Sequence, residues 1–208
     1  EFPDYSYFKG IYLFPVEFIE NAIFRWIYFT GFFKMDNLKI VSDGAFECST
    51  FSGSLNLPLC TSIGDYAFSS SNFSGELNLP ACTQIGDWAF VNSDFSGELS
   101  LPVCEQIGDS AFVNSNFSGE LSLPVCTQIG DWAFYHSTFS GELSLPVCTQ
   151  IGDYAFVSSN FSEITIGANA VLGNYCIGAH STEFINDYTA NNKLAGTYVW
   201  DGQHWIYQ

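Results

Sequence analysis

Four kinds of side chain able to do chemistry recur in the sequence at a constant interval of 22 residues. Aspartates stand at Asp43, Asp65, Asp87, Asp109, Asp131 and Asp153, with Asn21 and Asn174 beyond them. A row of carboxylates could ladder calcium. Calcium, however, takes six or more oxygen ligands, usually from a supporting Gly-Asp pattern that is missing here. Capping of a helical turn is the preferred reading of the column, a role that Asn serves equally well at both ends. Glutamates stand at Glu76, Glu98, Glu120, Glu142 and Glu163. Stacked at the ~4.8 Å spacing of parallel strands they repel one another. Such a row attracts a basic partner or cations, or it keeps the face soluble and unpaired. Glu76, Glu98, Glu120 and Glu142 are candidate binding residues on these grounds. A third column reads Tyr66, Trp88, Ser110, Trp132, Tyr154 and then Tyr175. Regular aromatics either stack sugar rings, with Trp88 and Trp132 as the candidates, or pack on each other as an outer ladder. The fourth column is Cys60, Cys82, Cys104, Cys126 and Cys148. No pair has metal-site spacing such as C-x-x-C. Val16 and Leu38 take the first two places of that column, so its requirement is apolar, and buried free thiols are expected. Inter-turn disulfides are the competing arrangement.

Nothing in the chain assembles a catalytic group. His136, His180 and His204 lie in unrelated contexts, and His136 fills a column otherwise held by Ser or Asn. Phosphate-loop, G-x-S-x-G and HExxH motifs are missing. No cofactor is implied. The net charge of −17, from 22 acidic and 5 basic residues, argues against nucleic acid and anionic membrane as partners. It leaves a basic protein, a cation or a neutral glycan. The apolar run 22–33 contains Arg25 and is too short to span a membrane, which takes ~20 residues. The first residues lack the basic and apolar regions of a signal peptide. Asn72, Asn116 and Asn160 begin N-F-S sequons that follow from the repeat itself.

The columns need a scaffold of the same period. Phe139–Asn160, FSGELSLPVCTQIGDYAFVSSN, is preceded by four copies reaching back to Phe51. Self-similarity at this period means a solenoid, in which each turn buries its apolar side by stacking on its neighbours. Tyr7, Phe29 and then Phe51 to Phe161 form one apolar column, and Phe24 to Phe156 another. Ile19, Val41 and Ile63 to Ile151 form a third. The aromatic-rich start is therefore two divergent turns in register. Glu-Leu-Ser-Leu before Pro predicts a short strand with Leu inward, and Ile-Gly a second extended corner. Asp-x-Ala-Phe predicts one turn of 3₁₀ or α-helix with Asp as N-cap. Past Phe161 one residue is lost and the pattern decays, as terminal repeats do. Thr197–Tyr207 predicts a hairpin with a two-residue Asp201-Gly202 turn and Tyr198 paired with Trp205.

The halves L-x-L-P and I-G-D-x-A-F resemble the BspA-type leucine-rich repeat, over about residues 7–178. The sequence departs from that pattern in its period of 22, one short of the usual length. It has Ser93, Ser115, Ser137 and Ser159 where the family has a cysteine after Ala-Phe, and an extra Cys column after the Pro. The resemblance implies an extracellular or cell-surface protein that adheres to host proteins or neighbouring cells, without catalysis.

The expected fold is a right-handed leucine-rich-repeat solenoid of short parallel strands with brief 3₁₀ or α turns and a C-terminal β-hairpin cap, a parallel β-helix being the alternative. Residues 1–6 read as the end of a truncated preceding turn, 7–182 as about eight turns of solenoid, and 183–208 as the cap. The Glu column with Asn78, Ser100, Ser122 and Ser144 is expected on the concave strand face. The N-terminal turns put apolar groups in columns polar elsewhere: Tyr12, Phe18, Trp26, Tyr28 and Phe32, with Phe14 beside them. A patch that broad needs a cover. Because the chain opens mid-turn, a missing cap or self-association through these turns is expected there. The expected function is a protein-binding adhesion module, or alternatively a glycan-binding module using the aromatic column.

Overall fold

The computed structural model describes residues 7–9, 12–13, 16–30 and 33–208, with side chains at 16–27 and 35–208. Each 22-residue unit contributes one strand to each of two parallel sheets. In the first sheet the strands run from Gly53–Asn56 through Phe73–Asn78, Asp94–Gly97, Asn116–Ser122 and Thr138–Leu145 to Asn160–Ile166. In the second, eight two-residue strands run from Phe18–Ile19 through Gln84–Ile85, Gln106–Ile107 and Gln128–Ile129 to Val171–Leu172. From Phe18 to Ile151 the second sheet pairs each residue with the one a full period on, Phe18 opposite Ile40, Gln84 opposite Gln106 and Ile85 opposite Ile107. Farther towards the N-terminus, Tyr7 lies opposite Tyr28 and Tyr12 opposite Phe33, one residue short of the period.

The first sheet changes register within several of its strand pairs. Gly119 faces Phe139, yet Leu121 faces Leu143. The slip falls at the Gly of Phe-Ser-Gly, whose φ of +78° to +89° from Gly53 to Gly141 suits a bulge. Phe161-Ser162-Glu163 lacks this Gly. There Gly141 faces Phe161 and Glu142 faces Glu163, so the lost residue is absorbed as a smaller slip.

The apolar columns become ladders. Phe24, Phe46, Phe68, Phe90, Phe112, Phe134 and Phe156 stack with ring centroids 5.0–5.3 Å apart. A second ladder from Phe51 to Phe139 stacks at 6.0–6.4 Å and meets the first edge-on, as Phe112 does Phe117 at 5.7 Å. Both arrangements suit the ring quadrupole. The serines that replace the family cysteine are buried, and each bonds the turn before: Ser115 Oγ donates to the Ser93 carbonyl and Ser137 Oγ to that of Ser115. Cys60, Cys82, Cys104, Cys126 and Cys148 are buried and unpaired, each thiol donating to the carbonyl two residues on at 3.2–3.3 Å. Burial pushes their pKa values up, to about 11 for Cys60 and Cys148 and about 12 for Cys82 and Cys126.

The expected helical turn at Asp-x-Ala-Phe is instead a run of overlapping β-turns. Val91 N–H donates to Trp88 O and Ser93 N–H to Phe90 O, while the alternate amides of Trp88, Phe90 and Asn92 donate to the following turn. A helix would consume all of these within one turn, whereas this scheme couples neighbours. It requires positive φ at two places per unit, Trp88 and Asn92 at +59° and +57°, Trp132 and His136 at +60° and +75°. The second place explains His136, since Asn and His tolerate the left-handed region better than most side chains.

At the C-terminal end the helix Ser181–Ala190 lies across the core with Phe184 and Tyr188 buried. Tyr188 Oη donates to the Gly167 carbonyl at 2.6 Å. The hairpin forms, but its loop is Asp201–His204 rather than Asp201-Gly202. Trp200 faces Trp205 and Tyr198 faces Tyr207. The Asp201 carboxylate accepts the amides of Gln203 and His204, closing a longer loop than a type I′ turn, and Trp205 N–H is held by Asp187 Oδ2 under the helix. Gly196–Trp200 then continues the first sheet antiparallel to Asn160–Ile166.

Candidate functional site

Three exposed rows follow from this stacking. The first is the glutamate row on the first sheet. Glu76, Glu98 and Glu120 are exposed, Glu142 is half-buried, and Glu142 faces Glu163. Two of the glutamates fold over the next turn's bulge glycine: a Cβ on Gly141 would lie 3.0 Å from Glu120 Cγ, and one on Gly119 3.4 Å from Glu98 Cγ. Among the described residues, ion pairs join Arg25 to Glu47, Lys39 to Glu17 and His204 to Asp187, and none reaches this row. The sequence holds no Lys or Arg between Lys39 and Lys193, so no base of the intervening turns offsets it.

The second row is aromatic. Tyr66 and Trp88 stack at 6.1 Å with planes 3° apart, and Trp132 stacks on Tyr154 at 4.4 Å and Tyr154 on Tyr175 at 5.4 Å. Ser110 is buried between the two runs. Trp88 and Trp132 stay 40% and 38% exposed although one face of each is taken by a neighbouring ring. The left-handed backbone throws these rings outward, where stacking on the next turn offsets a cost of ~1–2 kcal/mol per residue.

The third row lies on the second sheet. A groove of about 440 Å³ crosses successive turns there, walled by Gln84, Gln106, Gln128 and Gln150 on one side and by Asp65, Asp87 and Asp109 on the other. This groove lies over the Gln-Ile-Gly-Asp sheet, apart from the Glu-Leu-Ser-Leu strands that carry the glutamate row. The aspartates do not cap their own turn. Asp65 Oδ1 accepts the amide of Asp87, Asp87 Oδ1 that of Asp109, and Asp109 Oδ1 that of Asp131, each at 2.8 Å. The intervening glycines are required by this bond. A Cβ on Gly108 would lie 2.4 Å from Asp87 Oδ1 and 2.7 Å from the Asp87 amide nitrogen. Among the described residues no group of three or more metal-ligating side chains has the arrangement of a metal site.

Residues 11–119 and 61–183 match the model of the BspA type leucine rich repeat region, in six copies. The chain belongs to the BspA-type leucine-rich repeat family. No curated protein and no solved structure matches it. Membership of the BspA-type family makes the chain a repeat module of the protein-interaction class. It also explains the paired halves of each unit, L-x-L-P in the first sheet and I-G-D-x-A-F crossing the second. No helix among the described residues is long and apolar enough to cross a membrane.

The candidate residues thus fall on separate surfaces. Glu76, Glu98, Glu120 and Glu142 form one row, and Trp88 and Trp132 belong to another. At the N-terminal end Phe18 and Trp26 are 49% and 63% exposed, and Arg25 lies 5.8 Å over the Trp26 ring. Phe14 and Phe32, and the side chains of Tyr12 and Tyr28, lie outside the described residues. Sequence reasoning did not single out the glutamines as a site. Their only signal was their spacing, which every other column shared.

Proposed function

We propose that this BspA-type solenoid is a non-catalytic adhesion module, displayed outside the cell or on its surface, that binds a basic protein through the glutamate row. The observation that carries the reading is the unopposed charge. Five stacked glutamates face outward on turns that contain no Lys or Arg. Complementary charge steers encounter and discriminates between partners. The host protein, or the neighbouring cell's, that fits is therefore one with a basic segment. Self-association through Phe18 and Trp26 is a separate property of the N-terminal turns in this reading. Probing an array of extracellular proteins with the whole chain tests the main reading. Binding should concentrate on basic targets and weaken as salt rises. Replacing Glu76, Glu98, Glu120 and Glu142 together by Gln should weaken it at least tenfold without lowering the melting temperature. Undiminished binding by that variant refutes the reading.

A further inference from the structure

The groove over the second sheet offers hydrogen-bonding groups that the fold itself leaves unused. Several polar columns elsewhere on the solenoid satisfy one another: Asn78 Nδ2 donates to Asn56 Oδ1, Asn114 Nδ2 to Asn92 Oδ1, and Thr83 Oγ1 to the Thr61 carbonyl. The side-chain amides of Gln84, Gln106, Gln128 and Gln150 are exposed and make no hydrogen bond among the described residues. Each amide carries two donors and an acceptor. Across the groove, Oδ1 of Asp87 and of Asp109 is occupied by the next turn's amide, which leaves Oδ2 facing solvent as an acceptor. The ends of the glutamine column are different in kind. Ser62, Ile40 and Phe18 precede it and Val171 follows it in register. The polar site is therefore four rungs long.

The floor excludes one class of ligand. Its amides and carbonyls are consumed between turns, with Gly108 N–H on Ile85 O and Gly130 N–H on Ile107 O, both at 2.8 Å. A peptide cannot add here as a strand, because no backbone edge is free. Along the solenoid axis, moreover, an extended peptide advances ~3.3 Å per residue against rungs ~4.8 Å apart, and falls out of step. A ligand that meets every rung must advance by one unit per rung. An extended chain of 1→4-linked, diequatorial hexopyranoses advances by about one rung per sugar and presents hydroxyls that both donate and accept. The charge decides between neutral and anionic chains. Asp65, Asp87 and Asp109 repel uronates, sulfates and phosphates, and no base lies between Lys39 and Lys193. The aromatic row follows the Asp row directly in sequence, as in Asp87-Trp88 and Asp131-Trp132, but its rings are not among the groove's lining, so the site rests on the Gln and Asp rows.

We propose that this groove binds a single strand of a neutral β-1,4-linked polysaccharide of the cellulose or chitin type, one sugar per turn from Gln84 to Gln150. The site lies on a different sheet from the glutamate row and does not depend on the protein-binding reading.

Calorimetric titration of the whole chain with cello- and chito-oligosaccharides, from disaccharide to heptasaccharide, tests it. Affinity should rise with each sugar to four or five and then level off. Gln106→Ala/Gln128→Ala should weaken the longest oligosaccharides at least tenfold and leave the melting temperature unchanged, because those amides bond nothing in the fold. The quadruple Glu→Gln variant of the first sheet should bind them as the wild type does, which separates this site from the protein-binding one. Four results overturn the proposal: no binding of either series at millimolar sugar, affinity independent of length, binding unchanged in the double Gln variant, or equal binding of an oligo-uronate. A salt-sensitive oligo-arginine peptide that displaces the sugars and binds far more tightly would assign the groove to basic peptides instead, and equally overturns it.

Discussion

Two glycines of one turn answer to different physics, and substituting each by alanine separates them. A Cβ on Gly108 would lie 2.4 Å from Asp87 Oδ1, 2.7 Å from Asp87 N and 2.7 Å from Gly86 C. Two of these atoms are backbone, so rotamer changes cannot relieve the clash and the turns must part. Parting them breaks Gly108 N–H to Ile85 O and Asp109 N–H to Asp87 Oδ1, both 2.8 Å. One neutral bond at ~0.5–1.5 kcal/mol and one to a carboxylate at ~1.5–3 kcal/mol give roughly 2–4.5 kcal/mol. Gly97 has φ +89° and nothing within 4 Å of a built Cβ. Gly97→Ala therefore costs only the left-handed backbone penalty of ~1–2 kcal/mol. Urea unfolding followed by far-UV circular dichroism reads both. Hydrogen exchange of the Gly108 and Asp109 amides should speed up in Gly108→Ala and stay slow in Gly97→Ala. If Gly97→Ala proves as damaging as Gly108→Ala, the inter-turn aspartate bond is not what fixes the spacing of the turns.

Two further perturbations probe the buried columns. Burial raises the thiol pKa values from 9.0 to about 11 or 12 at Cys60, Cys82, Cys126 and Cys148, so the fold retains protons that the unfolded chain releases, and stability should be fully present below pH 9 and fall as pH rises towards 12. Melting temperatures between pH 7 and 11 should show this slope, and Cys82→Ala/Cys126→Ala should flatten it relative to wild type, the raised pKa of Tyr198 contributing the same sign in both. Ser110→Tyr should join the Tyr66–Trp88 and Trp132–Tyr154 stacks and raise stability by ~0.5–1.5 kcal/mol in urea unfolding, with stronger aromatic circular dichroism; a loss of stability would show that the buried Ser110 is itself a packing requirement.

The core was legible because the period multiplies every signal. A lone Phe at 112 says little, but Phe at seven successive equivalents fixes a ladder, and the stacking distances of 5.0–5.3 Å are its result. The turn at Asp-x-Ala-Phe was not legible. Trp and Tyr are poor choices for positive φ, so residue preference pointed to a helix, whereas the winning terms, an amide bonded to the next turn and a ring stacked on it, come from other turns. The same holds for the aspartates. A local rule makes Asp a cap, but Asp65 Oδ1 reaches the amide of Asp87, a full period away in sequence. The helix Ser181–Ala190 left one trace, Phe184 and Tyr188 four apart and both buried. The Asp-Gly signal misplaced the hairpin loop because the Asp201 side chain, not Gly202 alone, organises it.

Where function is concerned, the repeat hides as much as it shows. In a solenoid every column is periodic, so spacing cannot tell a site from scaffold. What distinguishes a column is whether its bonding groups are already used. By that measure Ser115, Ser137 and Ser159 are scaffold, because each hydroxyl bonds the turn before. The cysteines are scaffold as well, since each thiol meets a carbonyl inside the core. The aspartates divide: one oxygen spaces the turns and the other faces the groove. The glutamates and glutamines, by contrast, direct whole functional groups outward without a partner inside the described structure. These two columns lie on different sheets, one charged and one neutral. A single repeated unit therefore carries two outward surfaces of different chemistry, and each can be altered without touching the other.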